Sequence, residues 1–460
     1  MQGELIVSEL VRLALTDPRS LWVLLGLAVG MVLLLLAVNR IPLSYTLRNL
    51  SLRWRTTLMT SLAFTLVVGL MVVMLAFTTG MQRMTDGSGQ PGNVIVLAEG
   101  SIDEAFSNLN VEDLGEIENL PGVRRDEAGQ RLASRESYLI VKQPVPHPKP
   151  GRSDSRFLQV RGITDAAIAA KVHNIQLKSG SWFSAAGVED RSGVDSKAAP
   201  AIQAVLGEGV AGELAADRTP EEAAAGKNPH RLDVGDRFRL GEKDWVVTGI
   251  LKSSGATCNS EIWANRAKVG PVFGRENVTT LVLSTADADA AVQLRDFLKN
   301  NYAKANILPQ VEKEYYAGLS ETNQQFLFAI IVITTIMSIG GIFGVMNTMF
   351  AAISNRIKDI GVLRILGYAR WQILVSFLLE SLVIALLGGL LGCALGSLAN
   401  GLTVNSVVGQ GGGGKFVVLE LVVDANIWTA GIFVTLLMGG LGGLVPALSA
   451  VRLKPLEALR

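Results

Sequence analysis

A glycine-rich run near the carboxyl end is the first place in this chain where nucleotide chemistry could be sought. Gly409–Lys415 reads G-Q-G-G-G-G-K, and glycines followed by a lysine can wrap backbone N–H groups around a phosphate. The next residue is Phe416, however, where such a loop needs a Ser or Thr hydroxyl for magnesium. The run also joins two apolar segments with no buried strand before it. We interpret it as a flexible linker and expect no ATP to bind there.

Histidines offer no better case for catalysis. His147, His173 and His230 are far apart in the sequence and lack the spacing of metal ligands. Neither a G-x-S-x-G elbow nor an H-E-x-x-H motif occurs. A formal net charge of +1 provides no field that would attract nucleic acid. We therefore predict no catalytic residue, no metal site and no bound cofactor in this polypeptide.

Glu380 is the one charged residue within five long apolar segments. A carboxylate at the centre of a bilayer costs about 2.5 to 3.5 kcal/mol on insertion scales. Two interpretations stay open. The residue belongs to a conduction or coupling path, or it is a structural carboxylate near the cytoplasmic surface, paired with an arginine or partly hydrated. The five segments are Trp22–Val38, Leu58–Thr79, Phe326–Ala352, Gln372–Ala399 and Ile427–Leu448.

Each apolar segment is long enough to cross a bilayer as a helix, which takes about 17 to 25 residues. Basic residues concentrate in the loops after the first and third segments and in the tail, which places the amino terminus outside and the carboxyl terminus in the cytoplasm. The predicted divisions are an N-terminal segment with a first span (1–41), an amphipathic interfacial helix (42–57), spans at 58–79, 326–352, 372–399 and 427–448, an extracytoplasmic domain (80–325), a cytoplasmic helix (353–371), an extracytoplasmic loop (400–426) and a cytoplasmic tail (449–460).

The region 80–325 has the composition of a folded, water-exposed domain. Short alternating runs predict strands, and they are NVIVLAEG, SYLIVKQ, RFLQVRG, WVVTGILK and TTLVLST. Val111–Leu120 and Ala288–Tyr302 are predicted helices. The fold class is therefore an α-helical membrane protein with a large mixed α+β extracytoplasmic domain.

The segment Ser354–Trp371 has the pattern of a short amphipathic helix. Apolar residues recur at helical spacing, charged residues lie between them, and Gly367 is placed to end the helix. Such a helix could dock into a groove of a partner, or it could be a membrane-surface connector. The apolar positions are Ile353, Ile357, Ile360 and Leu363, and the charged ones are Arg356, Lys358 and Asp359.

Glycines at four-residue spacing form ridges on the predicted spans. Gly388, Gly392 and Gly396 form one ridge, and Gly340 and Gly344 form another. Because glycine lets helix backbones approach closely where lipid supplies no hydrophobic drive, we expect these positions to pack helices together.

The carboxyl-terminal third resembles the MacB/FtsX-like, or type VII, permease family of ABC transporters. That family shows a stretch like E-R-x-R-E-I-G-I-x-K-A-L-G-A, to which residues 355–367 are similar. SFLLESLVIALLGGLLG, which includes Glu380, and the ending GGLVPALSAVRLKPLEALR are similar to two further family motifs. KSGSWF and LDVGDRFRLGEKDWVVTGIL resemble the MacB-like periplasmic core domain. Departures are Asn355, Tyr368 and the pair Leu448–Ser449.

The resemblance implies a fold and a set of partners. It implies four core spans, to which the first span is extra, in a chain of the cell inner membrane that works as a dimer, expected to be a homodimer. It also implies a cytoplasmic ABC ATPase dimer that uses ATP and Mg²⁺, with a periplasmic adaptor as a further candidate partner and membrane lipid around the spans. The ATPase would dock on a coupling helix through Arg356, Lys358, Asp359, Ile360, Gly361, Arg364, Leu366 and Gly367.

Two functions follow from the same resemblance. The first is a permease that couples ATP hydrolysis by the partner to movement of the extracytoplasmic domain, for export or extraction of a lipid, lipoprotein, peptide or small molecule. The second is a non-transporting FtsX-type mechanotransmitter that regulates a cell-wall enzyme or sensor. An unrelated ion-driven carrier is disfavoured because it would need several intramembrane ionisable groups, and the apolar segments hold one.

Overall fold

The computed structural model describes residues 54–101, 103–146, 148, 154–189, 200–252, 257–302, 305–319, 321–408 and 415–452. The predicted first span, most of the predicted interfacial helix, His147 and residues 409–414 of the glycine run lie outside these ranges. The chain separates into two compact units, described here one at a time. The membrane unit holds 1–79, 325–402 and 421–460, and the sheet unit holds 80–324 and 403–420.

Four helices in the described part of the chain are long and apolar enough to cross a membrane. They satisfy their own backbone hydrogen bonds, as a chain in hydrocarbon must. Four of the predicted spans are thereby confirmed as helices. These four helices and one short helix are α1 Trp54–Gly87, α9 Glu321–Ser354, α10 Ile357–Ile365, α11 Arg370–Ser397 and α12 Ala425–Val451. The numbers follow chain order, and the helices of the sheet unit are given below.

Helix α1 runs without interruption through two predicted boundaries. It includes Trp54–Thr57, which we had assigned to a separate interfacial helix, and it continues past Thr79 to Gly87. No proline occurs between these points, so the helix is not interrupted where its apolar stretch ends. Its 34 residues make a rod of about 50 Å, longer than a bilayer core requires.

The sheet unit is built on one ten-stranded mixed sheet, as a mixed α+β domain was predicted. The strand order is β10-β1-β9-β2-β3-β8-β5-β7-β4, with β6 on β7, and only the β3–β8 and β5–β7 pairs are parallel. The strands are β1 Asn93–Ala98, β2 Ala133–Pro144, β3 Ser155–Ile163, β4 Leu177–Gly180, β5 Ile202–Leu206, β6 Arg237–Leu240, β7 Lys243–Leu251, β8 Glu261–Asn265, β9 Thr280–Ser284 and β10 Ile307–Val311.

Among the described residues, six helices lie between these strands in the sequence and a seventh follows β10. Clusters of buried aliphatic side chains fill the spaces between helices and sheet, and Trp245 is fully buried in one of them. The helices are α2 Val111–Ile117, α3 Ala166–Val172, α4 Glu208–Ala215, α5 Pro220–Ala225, α6 Arg266–Phe273, α7 Ala288–Asn301 and α8 Glu312–Leu319.

The predicted loop 400–426 contains a β-hairpin. Strands β11 (Thr403–Val408) and β12 (Lys415–Glu420) pair antiparallel over six residues each and belong to the sheet unit, although they lie between two spans in the sequence. Valines recur in both flanks, which favours strands, but the glycine run that separates them masked this pattern.

Candidate coupling site

Helix α10 is shorter than the predicted cytoplasmic helix. It begins at Ile357, after a break at Asn355–Arg356, and ends at Ile365. Gly367 then takes a φ of +94°, which glycine adopts without strain. The Tyr368 N–H donates to the Leu363 carbonyl and the Gly367 N–H to the Arg364 carbonyl, the pair of bonds that defines a Schellman cap.

One face of α10 is buried and the other is exposed. Ile360 and Gly361 are buried, and Ile360 packs in the apolar core of the membrane unit with Ile353 and Phe377. The opposite face, which we call the α10 face, places two charged residues beside three apolar ones that are 47%, 64% and 70% exposed. The α10 face consists of Lys358, Asp359, Val362, Ile365 and Leu366. A short helix that holds this much apolar surface in the open has the form of an interaction surface.

Arg356 does not lie on the α10 face, contrary to the sequence-based assignment. It precedes the helix, is 7% exposed, and forms a two-bond ion pair with Glu380 of α11, with N–O distances of 3.0 and 3.2 Å. Arg356 lies four residues before Ile360, whose N–H donates to the Arg356 carbonyl, so both side chains fall on the buried side of α10. Glu380 is itself 5% exposed. Its pairing with Arg356 agrees with the interpretation of Glu380 as a structural carboxylate paired with an arginine.

The Arg356–Glu380 pair ties the start of α10 to the middle of the α11 sequence. A buried pair of this kind adds little net stability, but the loss of one partner leaves an uncompensated charge. The planar guanidinium also fixes the relative orientation of the two groups through two parallel bonds. A displacement of α10 must therefore either move α11 or break the pair.

The glycine ridge on α11 packs against α1. A Cβ added at Gly388 would lie 2.3 Å from the Ser61 carbonyl oxygen, and one at Gly392 would lie 2.8 Å from that of Thr65. At Gly396 it would meet Val72 at 2.7 Å. The Thr65 hydroxyl lies 3.1 Å from the Gly388 carbonyl oxygen. The two backbones are in contact, and larger side chains would force them apart.

The second ridge behaves differently. Nothing lies within 4 Å of a Cβ added at Gly340 or Gly344. These glycines instead line a groove of about 580 Å³ between α1 and α9, with Met59 and Val67 opposite. The packing that we predicted for this ridge is therefore not made within the described chain.

The sheet unit holds a second buried arginine, which the sequence analysis did not single out. Arg161 on β3 pairs with Glu261 at 2.7 and 2.8 Å, with Glu104 at 2.9 Å and with Glu136. All four side chains are at most 2% exposed. Strands β2, β3 and β8 are neighbours, so Glu136 and Glu261 reach Arg161 as diagonal partners on one face of the sheet.

His173 extends this charge cluster. Its Nε2 lies 2.6 Å from Glu136 and its Nδ1 lies 3.4 Å from Glu312. Burial opposes protonation, but the charge of Glu136 and the two hydrogen bonds outweigh it and raise the pKa of His173 to about 10. Burial likewise opposes ionisation of Glu136, yet His173 and Arg161 lower the pKa of that carboxyl to about 2. Both groups are therefore charged at neutral pH.

A cavity of about 290 Å³ adjoins the cluster. Its walls include Arg161, His173, Glu261 and Glu312, together with Ser88 beyond the end of α1 and Cys258. Within the described residues, no three His, Cys, Asp or Glu side chains are arranged to hold a metal ion. The sequence offered one indication of this charge cluster. Arg161 is a charged residue at an inward position of the predicted strand RFLQVRG.

These features define a class of protein, a multi-pass membrane protein with four spans among the described residues, an exposed short helix and a large mixed sheet domain. Residues 57–300 match the MacB-like periplasmic core domain, and residues 331–455 match the FtsX-like permease C-terminal domain. The chain belongs to the MacB/FtsX-like permease family of ABC transporters.

Relatives agree with this assignment. The chain is 28% identical over 275 residues to the macrolide export ATP-binding/permease protein MacB of Bdellovibrio bacteriovorus, covering 56% of this chain and 39% of that one. It is 23% identical to the uncharacterized ABC transporter permease YknZ of Bacillus subtilis, covering 88% and 94%. It is 25% identical to the pyoverdine export ATP-binding/permease protein PvdT of Pseudomonas fluorescens, covering 88% and 57%. The chain thus spans 39% and 57% of the length of these two exporters and nearly all of YknZ.

Proposed function

We propose that this chain is the membrane subunit of an ABC transporter in which ATP hydrolysis by a separate subunit moves the sheet unit to export or extract a substrate. The proposal rests first on the α10 face. Three apolar residues of this face are exposed and form a surface to which a partner can bind. The Arg356–Glu380 pair connects the helix to α11, so a displacement of α10 can be transmitted to that span.

The composition of the spans favours movement over conduction. The four described spans contain one charge within their apolar segments, and that charge is engaged with Arg356. A polar channel would need lining groups that could replace the hydration of its cargo. The substrate is therefore handled by the sheet unit or taken from the lipid, and the spans carry mechanical displacement.

The partners follow from the family. An ABC permease implies an ATPase, and we assign its docking to the α10 face, with ATP and Mg²⁺ bound by that partner. We infer a homodimer of permease chains, an extracytoplasmic sheet unit, a cytoplasmic carboxyl terminus and a periplasmic adaptor as a further partner. The open groove along Gly340 and Gly344 leaves room for packing that the described part of the chain does not supply.

The substrate is proposed as a chemical class and not as a single compound. Two relatives are named for the export of a macrolide and of pyoverdine, which are chemically unlike each other. We therefore propose a lipid, lipoprotein, peptide or small molecule.

The test is a charge placed on the α10 face. Leu366→Lys puts a cation at a helix carboxyl end, where the dipole tolerates it, so α10 should still form. Purified from its native membrane in mild detergent, the wild type should retain an ABC ATPase and hydrolyse ATP, and Leu366→Lys should lose most of both. The matched control is Phe297→Lys, an exposed apolar residue on α7 of the sheet unit. A wild type without ATPase, or retention unaffected by Leu366→Lys, would contradict the proposal.

A second comparison separates transport from signalling. A deletion strain that accumulates a molecule, relieved by the wild type and not by Leu366→Lys, supports export. A wall or division defect restored without any change in cell contents would instead support the mechanotransmitter.

A further inference from the structure

The four-residue turn Thr257–Ser260 in the sheet unit contacts two segments that continue into spans, the end of α1 and the β11–β12 hairpin. It is a single 3₁₀ turn directly before β8, and Thr257 and Ser260 are buried. The contacts below all lie within the sheet unit, yet two of the contacting segments continue into membrane helices.

The first contact is with the end of α1. The Ser88 hydroxyl donates to the Met84 carbonyl at 2.6 Å, in the last turn of the helix, and accepts from the Thr257 N–H at 2.9 Å. Ser88 is 2% exposed. One hydroxyl therefore joins the helix and the turn, with no water needed between them.

The second contact is with the hairpin. The Val418 N–H of β12 donates to the Ser260 hydroxyl at 2.8 Å. This N–H does not point to β11, so Ser260 provides a hydrogen-bond acceptor that the hairpin itself does not. Asn259, the residue before, accepts from the Gly209 N–H at 3.0 Å and so fixes the turn to α4.

The turn also leads directly into the charge cluster. The next residue is Glu261, which holds Arg161 with two bonds and accepts from the Trp263 indole N–H at 2.9 Å. Arg161 in turn binds Glu104 and Glu136. A shift of the turn is therefore passed to four buried charged groups that cannot be separated cheaply.

We propose that Thr257–Ser260 is the element through which the sheet unit receives displacement from the membrane helices, with Ser88 and Ser260 as its positioning residues. This inference rests on the proposed function, since it names where the transmitted movement arrives. Helix α1 supplies one input because it is a continuous rod from Trp54 to Gly87, and the hairpin between α11 and α12 supplies the other.

The chain carries its own reporter of this turn. Its two cysteines are Cys258, half-buried within the turn and on the cavity wall, and Cys393, fully buried in α11. Maleimide labelling of the full chain in nanodiscs therefore reads the turn, and Cys258→Ser should abolish the signal.

The first arm needs only this chain. Ser88→Ala and Ser260→Ala should each raise the labelling rate of Cys258 about fivefold, because each removes one buried hydrogen bond that holds the turn. Ser260→Thr keeps the hydroxyl and should label like the wild type. Ser107→Ala is the matched control, since Ser107 is buried and accepts from the Ala98 N–H at 2.8 Å, with no contact to the turn. Labelling that ignores both serines would overturn the proposal.

The second arm distinguishes positioning from a purely structural role. With the co-purified ATPase, trapping by ATP and vanadate should change the Cys258 labelling rate in the wild type, and the double variant Ser88→Ala/Ser260→Ala should lose that response while it still hydrolyses ATP. Nucleotide-independent labelling in a complex that hydrolyses ATP would overturn this inference and leave the proposed function standing. A chain that retains no ATPase would overturn both.

Discussion

Two arginines of the described part of the chain are buried, Arg356 in the membrane unit and Arg161 in the sheet unit, and their charges are compensated by different numbers of carboxylates. Arg356 has one carboxylate, Glu380, and lies at a helix break near the end of a span. Arg161 has three carboxylates and lies on a central strand, with its guanidinium carbon 4.7 Å from the centre of the Tyr138 ring. The first is a joint between two helices, whereas the second is a hub that holds several elements together.

The two sites also differ in the balance between positive and negative charges, which decides what the loss of one charge would do. Among the described residues, four carboxylates of this cluster pair with two cations, Arg161 and His173. The carboxylates are Glu104, Glu136, Glu261 and Glu312. Removal of Arg161 would leave buried carboxylates that repel one another. The Arg356 pair is balanced, with one cation facing one carboxylate.

The largest effect is therefore expected from Arg161→Ala. We expect the sheet unit to lose about 3 to 5 kcal/mol of unfolding free energy, as when one partner of a buried ion pair is removed. Thermal unfolding of the full chain in detergent, followed by tryptophan fluorescence, measures it. The matched control is Arg237→Ala, whose partner Glu189 is at the surface, where the change should stay within about 1 kcal/mol.

Should Arg161→Ala fail to fold, a milder pair of variants still tests the hub. Glu261→Gln removes one of the excess negative charges and keeps the shape, so it should destabilise far less than Arg161→Ala. Adding Glu261→Gln to Arg161→Ala should recover part of the loss. Equal effects from Arg161→Ala and Arg237→Ala would show that Arg161 is no hub.

Glu380→Gln should have an intermediate effect, and chiefly on transmission. The amide still accepts one bond from Arg356, so we expect a loss of about 1 to 3 kcal/mol in stability. The stimulation of the partner ATPase should fall more than the stability does, because the joint between α10 and α11 is loosened. Arg370→Gln, at an exposed arginine that begins α11, is the control. If Glu380→Gln and Arg356→Gln are additive in the double variant, the pair is not the joint.

The sequence predicted the buried face and the end of α10, but it did not predict the ion pair of Arg356 with Glu380. The spacing of Ile357, Ile360 and Leu363 predicts the inward face of α10, and Gly367 predicts its end, because both depend on neighbours within a few residues. Arg356 was assigned to the docking surface because it is charged, although it lies one helical turn before the buried Ile360.

The hub could not be predicted as a cluster. Arg161 lies 25, 57 and 100 residues from Glu136, Glu104 and Glu261, and only the strand order brings them together. A single sequence contains no information on which strands are neighbours. It shows only that a charge occupies an inward position, which marks a residue without naming its partner.

The smallest expected effect concerns the pH dependence of the hub. The folded-state pKa of His173, raised to about 10, lies above the value of about 6.5 expected in the unfolded chain. Its protonated form therefore stabilises the sheet unit fully below about pH 6.5, and this contribution is lost as the pH rises through about 10. From pH 7 to 9.5 the melting temperature of the wild type should fall.

His173→Gln should lower the melting temperature at pH 6.5 and flatten its decline toward pH 9.5, because the amide cannot titrate. Differential scanning fluorimetry of the full chain at both pH values measures the difference in slope, which cancels groups that titrate in both proteins. His230→Gln, at an exposed histidine of the same unit, should keep the wild-type slope. The joint in the membrane unit holds no histidine, so Glu380→Gln should also leave this slope unchanged. If His173→Gln and the wild type decline in parallel, His173 is neutral in the folded protein and the hub has one cation instead of two.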